Sequence, residues 1–222
     1  MSPGDRRAIW VCLYAIAMAA VESAVVVYLR ALHPGDAPLT VLLSVIPDRL
    51  IAIEMGREAA TLVMLLTVAT LTGRDRWERF LFFSLAFGAW DIFYYVWLWI
   101  FIGWPPSLVT WDVLFLIPVP WLAPVLAPVI VSVCLAAGSL RLLALHARGR
   151  APGLPRLAWA IAGAGAALVL LSFTLDYRYA IERTDPPAFR WGLFGIGVTI
   201  AVAGLVAGVR RRSYQTIKRG SE

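Results

Sequence analysis

The chain is 222 residues long, 60% hydrophobic and only 15% charged, with a mean hydropathy of +0.76. A soluble domain is nearer about 45–50% apolar and about 25% charged, so this composition excludes an ordinary soluble enzyme and leaves one polytopic membrane domain over residues 1–222. The net charge of +6 arises from 20 basic residues, 19 of them Arg, gathered between apolar runs rather than along an aromatic-studded stripe, which excludes a nucleic-acid role.

Charge and Pro/Gly clusters mark off six apolar segments. The first runs from about 8 to 32. Arg6 and Arg7 before an apolar run with Ala17-Met18-Ala19 imitate a signal peptide, but the run is longer than a signal core and is read as a retained helix. The second covers about 50–72 and is closed by Gly73 and the charged GRDRWER linker. A third, about 80–102, ends at Gly103-Trp104-Pro105-Pro106. The fourth, about 108–145, is too long for one straight span. It holds Pro118, Pro120, Pro124 and Pro128, which predicts a kinked or broken helix or a re-entrant piece before the true span. The fifth and sixth run over about 157–175 and 189–209. Gly163 with Ala167, and Gly204 with Gly208, give them small faces suited to close helix packing. The fold class is therefore an all-α integral membrane protein of six transmembrane helices.

Orientation follows from counting Lys and Arg by loop. With a cytoplasmic N-terminus, fourteen basic residues fall on the inner side, among them Arg76, Arg150 and Lys218. Five fall on the outer side and Arg57 stays inside the membrane. That asymmetry places both termini in the cytoplasm of an inner (plasma) membrane protein. Trp97, Trp99, Trp104, Trp111, Tyr177 and Trp191 then gather at the outer interface, as an aromatic belt does. Cys12 and Cys134 form no C-x-x-C motif and are read as inert core residues.

The acids distribute the other way. Asp36, Asp48, Asp176, Glu182 and Asp185 fit outer loops and need no special account. Glu22, Glu54, Glu58, Asp91 and Asp112 do, because a charge near the bilayer centre costs about 2.5–3.5 kcal/mol on insertion scales. At 1.5 Å per helical residue, Glu22 lies ~15 Å, Glu54 ~6 Å, Glu58 ~12 Å and Asp91 ~16 Å from the outer ends of their segments, and Asp112 about a turn into the fourth. All five therefore fall in the outer half. Glu54, Arg57, Glu58 and Thr61 share one helical stripe, Ala15, Ala19 and Glu22 another, and Ser84, Gly88, Asp91 and Tyr95 a third. A dry bundle does not tolerate five acids against one Arg, so some must be protonated, hydrated or paired with a cation.

The candidate ligand-binding or proton- and cation-coupling set is Glu22, Glu54, Arg57, Glu58, Asp91, Tyr95 and Asp112. The scaffold reading, a buried ion-pair network fixing helix register, accounts for one Arg–acid pair but leaves the surplus acids unexplained. Haem and zinc are not expected, since His33 and His146 fall near opposite faces and no metal or nucleophile motif is present. A hard divalent cation suits an all-oxygen set, although Arg57 would repel it. Three roles remain. The leading one is an outward-facing cavity binding a small solute or cation in a transporter or transport subunit. The second is a membrane enzyme on a lipid or isoprenoid substrate, with Arg57 holding its anionic group. The third is a non-catalytic subunit of a homo- or hetero-oligomeric membrane complex.

The topology is directly testable. Single cysteines at Arg76, Arg150 and Lys218, without Cys12 and Cys134, should be protected from an impermeant thiol reagent on intact cells, and cysteines at Pro105 and Asp185 labelled. Labelling at Arg150 from outside overturns the six-span arrangement.

Overall fold

The computed structural model describes residues 3–32, 48–148, 154–182 and 188–219. Asp36, Asp185, Arg150 and His33, placed above from sequence, lie outside the described residues, as do the side chains of Asp48, Glu182 and Lys218. The protein is mainly helical: α1 Pro3–Leu32, α2 Asp48–Thr72, α3 Arg76–Ile102, α4 Leu126–Ala147, α5 Arg156–Thr174, the short α6 Tyr177–Glu182, and α7 Trp191–Arg219. Five of these stretches are long and apolar enough to cross a membrane, in α1, α3, α4, the α5–α6 region and α7. At most 39% of any such window is buried inside the protein, so large apolar side chains such as Trp10, Leu71 and Ile196 face outward. In water such surface is a liability; against lipid tails it is the required one. The chain is a membrane protein. The second segment, α2, is not among these five. α2 is 25 residues long, but Glu54, Arg57 and Glu58 in its first half set it apart from the other five.

The fourth segment is not one kinked or broken helix: a separate piece precedes the long helix, and it is extended rather than helical. Residues Trp111–Phe115 (β1) and Trp121–Pro124 (β2) form an antiparallel hairpin, with Asp112 opposite Ala123 and Val113 opposite Leu122. The physical reason lies in the residues. Trp111, Val113 and Phe115 favour an extended chain, and Pro118 and Pro120 cannot donate into a helix ladder. A register shift between Val113 and Phe115 bends the ribbon, and the Val125 and Leu126 amides continue its bonding to Thr110 and Leu108. The helix begins only at Leu126, where Pro128 falls in the first turn and removes an N–H that has no intrahelical partner anyway.

α3 is the central element, packed against α1, α2 and α4. Asp75 caps its start by accepting from the Glu78 amide at 2.8 Å. Gly103 closes its end at φ 65°, a left-handed position that suits glycine. The Glu78 carboxylate also accepts from Arg7 at 2.7 and 3.0 Å and from the Arg74 amide, while Arg7 reaches the Thr72 carbonyl. One knot thus ties the start of α1, the end of α2 and the start of α3. The stripes Ala15–Ala19–Glu22 and Ser84–Gly88–Asp91–Tyr95 are buried. Gly88 is required by a close approach: a Cβ there would stand 2.5 Å from the Ser132 carbonyl of α4.

α5 and α7 form a second tight pair. A Cβ at Gly165 would lie 2.4 Å from the Ala201 amide, one at Gly204 2.9 Å from the Ala162 amide and one at Gly208 2.6 Å from the Ala158 Cβ. Gly163 and Ala167, read above as the contact face, are exposed instead, with nothing within 4 Å of a Cβ at Gly163. The register is set by Gly165 because that glycine faces Gly197 and Ala201. Asp176 is not a plain loop acid either. It is 2% exposed and ion-paired with Arg190, which ties the end of α5 to the start of α7. Of the cysteines, Cys12 is half-buried and Cys134 is exposed rather than in the core; both are free. Gly165→Leu should therefore lower the melting temperature in detergent, at an overpacking cost of about 1–3 kcal/mol, while Gly163→Leu should leave it within error. Equal effects of the two would contradict this helix register.

Candidate functional site

The end of the bundle opposite the Arg7–Glu78 knot holds a cavity of about 80 Å³. Its lining comes from the later half of α1, the charged half of α2, the later half of α3 and the hairpin. Among the lining side chains are all seven singled out from sequence: Glu22, Glu54, Arg57, Glu58, Asp91, Tyr95 and Asp112. Trp90 and Tyr94 contribute aromatic surface, and Val26, Leu29, Val113, Leu114 and Leu116 the apolar remainder.

The acids divide by what holds them. Arg57 engages two: its Nε donates to both Glu54 carboxylate oxygens at 3.0 Å, and one Nη donates to Glu22 Oε1. Glu22 Oε2 accepts in addition from Trp90 Nε1 at 2.9 Å and Thr61 Oγ1 at 3.1 Å. These charge-assisted bonds join α2 to α1 through the Arg57 guanidinium and α1 to α3 through the Glu22 carboxylate. Glu58 is 5% exposed and turns to the hairpin, where both its oxygens accept from the Leu116 amide, at 3.1 and 2.9 Å. Asp91 accepts from Ser132 Oγ of α4 at 2.8 Å.

Asp112 is different. It is 1% exposed, its Oδ2 accepts from the Tyr95 hydroxyl at 3.0 Å, and its Oδ1 has no hydrogen-bond partner. The Val113 amide favours the carboxylate electrostatically but makes no hydrogen bond of acceptable geometry to Oδ1. Burial pushes the Asp112 carboxyl up to about 7, an effect that the Tyr95 hydrogen bond and the nearby Arg30 charge only partly offset.

Four participants carried no sequence signal strong enough to name them as site residues. Thr61 shares the acidic stripe of α2, so its position was visible and its bond to Glu22 was not. Trp90 sits beside Asp91 in sequence, yet its indole serves Glu22 of another helix. Ser132 and the Leu116 amide come from the stretch read as one broken helix, and a backbone donor leaves no trace in composition. Among the described residues no three His, Cys, Asp or Glu side chains form a group suited to a metal ion. No protein family, curated protein or solved structure matches this chain.

Two stability measurements separate the acids. Arg57→Gln leaves Glu22 and Glu54 without their counter-charge and should destabilise the protein by about 3 kcal/mol, the lower figure for a buried pair because Arg57 is 22% exposed. Asp112 behaves oppositely. Its folded carboxyl holds a proton at pH values where the unfolded one has lost it, so its contribution favours folding at low pH and is lost as pH rises from about 4 to about 7. Asp112→Asn, which keeps an acceptor for Tyr95, should flatten that slope and raise the melting temperature at pH 8. A variant less stable than wild type at pH 8 contradicts the assignment.

Proposed function

We propose that the chain is a six-helix protein of the inner membrane, with both termini cytoplasmic, whose acid-lined cavity opens outward and binds a small solute or cation in a transporter or transport subunit. The observation that carries the reading is the surplus of acceptors. Five carboxyl groups meet one guanidinium in the lining, and a fully buried oxygen of Asp112 has no donor. A structural ion-pair network needs neither feature, because Arg57 is already satisfied by Glu22 and Glu54. Intramembrane acids facing a hydrated cavity are the usual elements of cation and proton pathways.

The membrane topology in this reading counts α2 as a spanning helix, its charged half facing the cavity and its apolar half burying Leu65 and Ala69 in the core while Val63, Leu66 and Leu71 face lipid. The alternative of a lipid-modifying enzyme relied on Arg57 to hold an anionic group. With its guanidinium engaged by two carboxylates, Arg57 has little capacity left for that task, which favours the cation reading.

Reconstitution tests it. Proteoliposomes loaded with a pH-sensitive dye should show a flux or a proton response when Na⁺, K⁺ or small amines are imposed as an external gradient. Asp112→Asn should lower the response at least about tenfold, and the packing control Gly163→Leu should not. Liposomes that respond to none of these gradients, with the protein folded and oriented, overturn the proposal.

A further inference from the structure

We infer that the cavity is a site for a primary ammonium group, carried by a small amine solute or by the head of an amine-bearing lipid, with Asp112 and Asp91 as its acceptors. This rests on the reading of the cavity as a cation site and names the ligand class within it.

Hydrogen-bond accounting selects the two aspartates. Glu22 and Glu54 are taken by Arg57, and Glu58 is turned to the hairpin, where its two oxygens share the single Leu116 N–H. Asp91 receives a bond at Oδ2 from Ser132, and Asp112 at Oδ2 from Tyr95. The second oxygen of Asp112 is buried without a hydrogen-bond partner, the nearby Val113 amide acting on the carboxylate only electrostatically, a state that costs free energy until a donor arrives. Asp91 lies one turn before Tyr95 on α3, so both carboxyls flank the same phenol. An ammonium brings three donors and one charge, and needs a few acceptors rather than a cage. A divalent metal demands six or more oxygens, and the described residues offer no three-acid group.

The remaining lining agrees. Trp90, Tyr94 and Tyr95 supply the aromatic surface that favours an organic cation over a bare hydrated ion. At 10–15 Å³ per water-sized atom, the ~80 Å³ cavity takes roughly five to eight such atoms, enough for a short alkylamine and too few for a quaternary amine with long arms. Beside it, Arg30 lies over the Trp104 ring at 4.4 Å, Trp104 lies against Tyr95, and the buried Arg30 Nε has no partner. An unpartnered donor near an unpartnered acceptor suits an amine whose other end is anionic, as in an aminophospholipid head, which is why both sources enter the test.

The full chain, purified in detergent at pH 8, is titrated with ethylammonium chloride at constant ionic strength. A saturable rise in melting temperature of about 5 °C is expected well above Kd. NaCl, MgCl₂ and tetraethylammonium should not reproduce it, and Asp112→Asn should abolish it; if that variant does not fold, Asp91→Asn replaces it and the size selectivity is read on the wild type. In nanodiscs, phosphatidylethanolamine raising the melting temperature over phosphatidylcholine identifies the lipid source, and no difference identifies the soluble amine. No ethylammonium shift, an equal shift with Na⁺, Mg²⁺ or tetraethylammonium, or an undiminished shift in Asp112→Asn overturns the inference. If proteoliposomes still respond to Na⁺, K⁺ or protons, only the ammonium assignment falls; if they respond to nothing, the transport reading falls with it.

Discussion

A single guanidinium sits among five carboxyl groups at one end of an apolar bundle, and the local architecture follows from the electrostatics of that arrangement. Arg57 is shared between Glu22 of α1 and Glu54 of its own helix, so the two helices are joined by charge at this end as the Arg7 knot joins them at the other, with apolar packing between. Trp90 and Thr61 then complete the acceptor needs of Glu22. Breaking such a pair leaves a charge stranded in low dielectric, which is costlier than the pair itself is favourable. The arrangement therefore fixes helix register more firmly than it adds net stability.

Of the other three acids, Asp91 is held by Ser132 of α4, and the hairpin positions the remaining two. Its Leu116 amide turns Glu58 away from Arg57, and its Asp112 meets Tyr95 of α3. The hairpin also links the two apolar clusters. Phe115 belongs to the cluster built on α1, α2 and α3, Ala123 to the one built on α4, α5 and α7, and Trp121 packs against both. Position and chemistry are thus supplied by one short ribbon, which explains why a proline-rich, tryptophan-rich stretch interrupts an otherwise helical chain.

Helical segments and buried faces were legible in the sequence because their signals are local. Segment boundaries from 50–72 and 157–175 fall within a few residues of α2 and α5, and the stripe holding Ser84, Gly88 and Asp91 is visible from spacing alone. The hairpin was not legible, because a short apolar run gives no periodicity that separates strand from buried helix. Nor was the choice between Gly163 and Gly165, which depends on the azimuth of a partner helix rather than on spacing. The acids were identifiable as residues that do not belong in lipid. Their division into satisfied and unsatisfied groups was not, since it depends on donors from Ser132, Leu116 and Trp90 that lie elsewhere in the chain.

Gly88 carries a consequence for how such a site is tuned. Its missing side chain lets α3 approach the Ser132 carbonyl, and the hydroxyl of that same serine bonds Asp91 one turn further along. The spacing between two helices and the hydrogen bonding of an acid are therefore set by one residue that touches no ligand. A methyl at Gly88 would stand 2.5 Å from that carbonyl and force α3 and α4 apart, so the surroundings of Asp91 are coupled to a helix seam whose glycine lies outside the cavity lining.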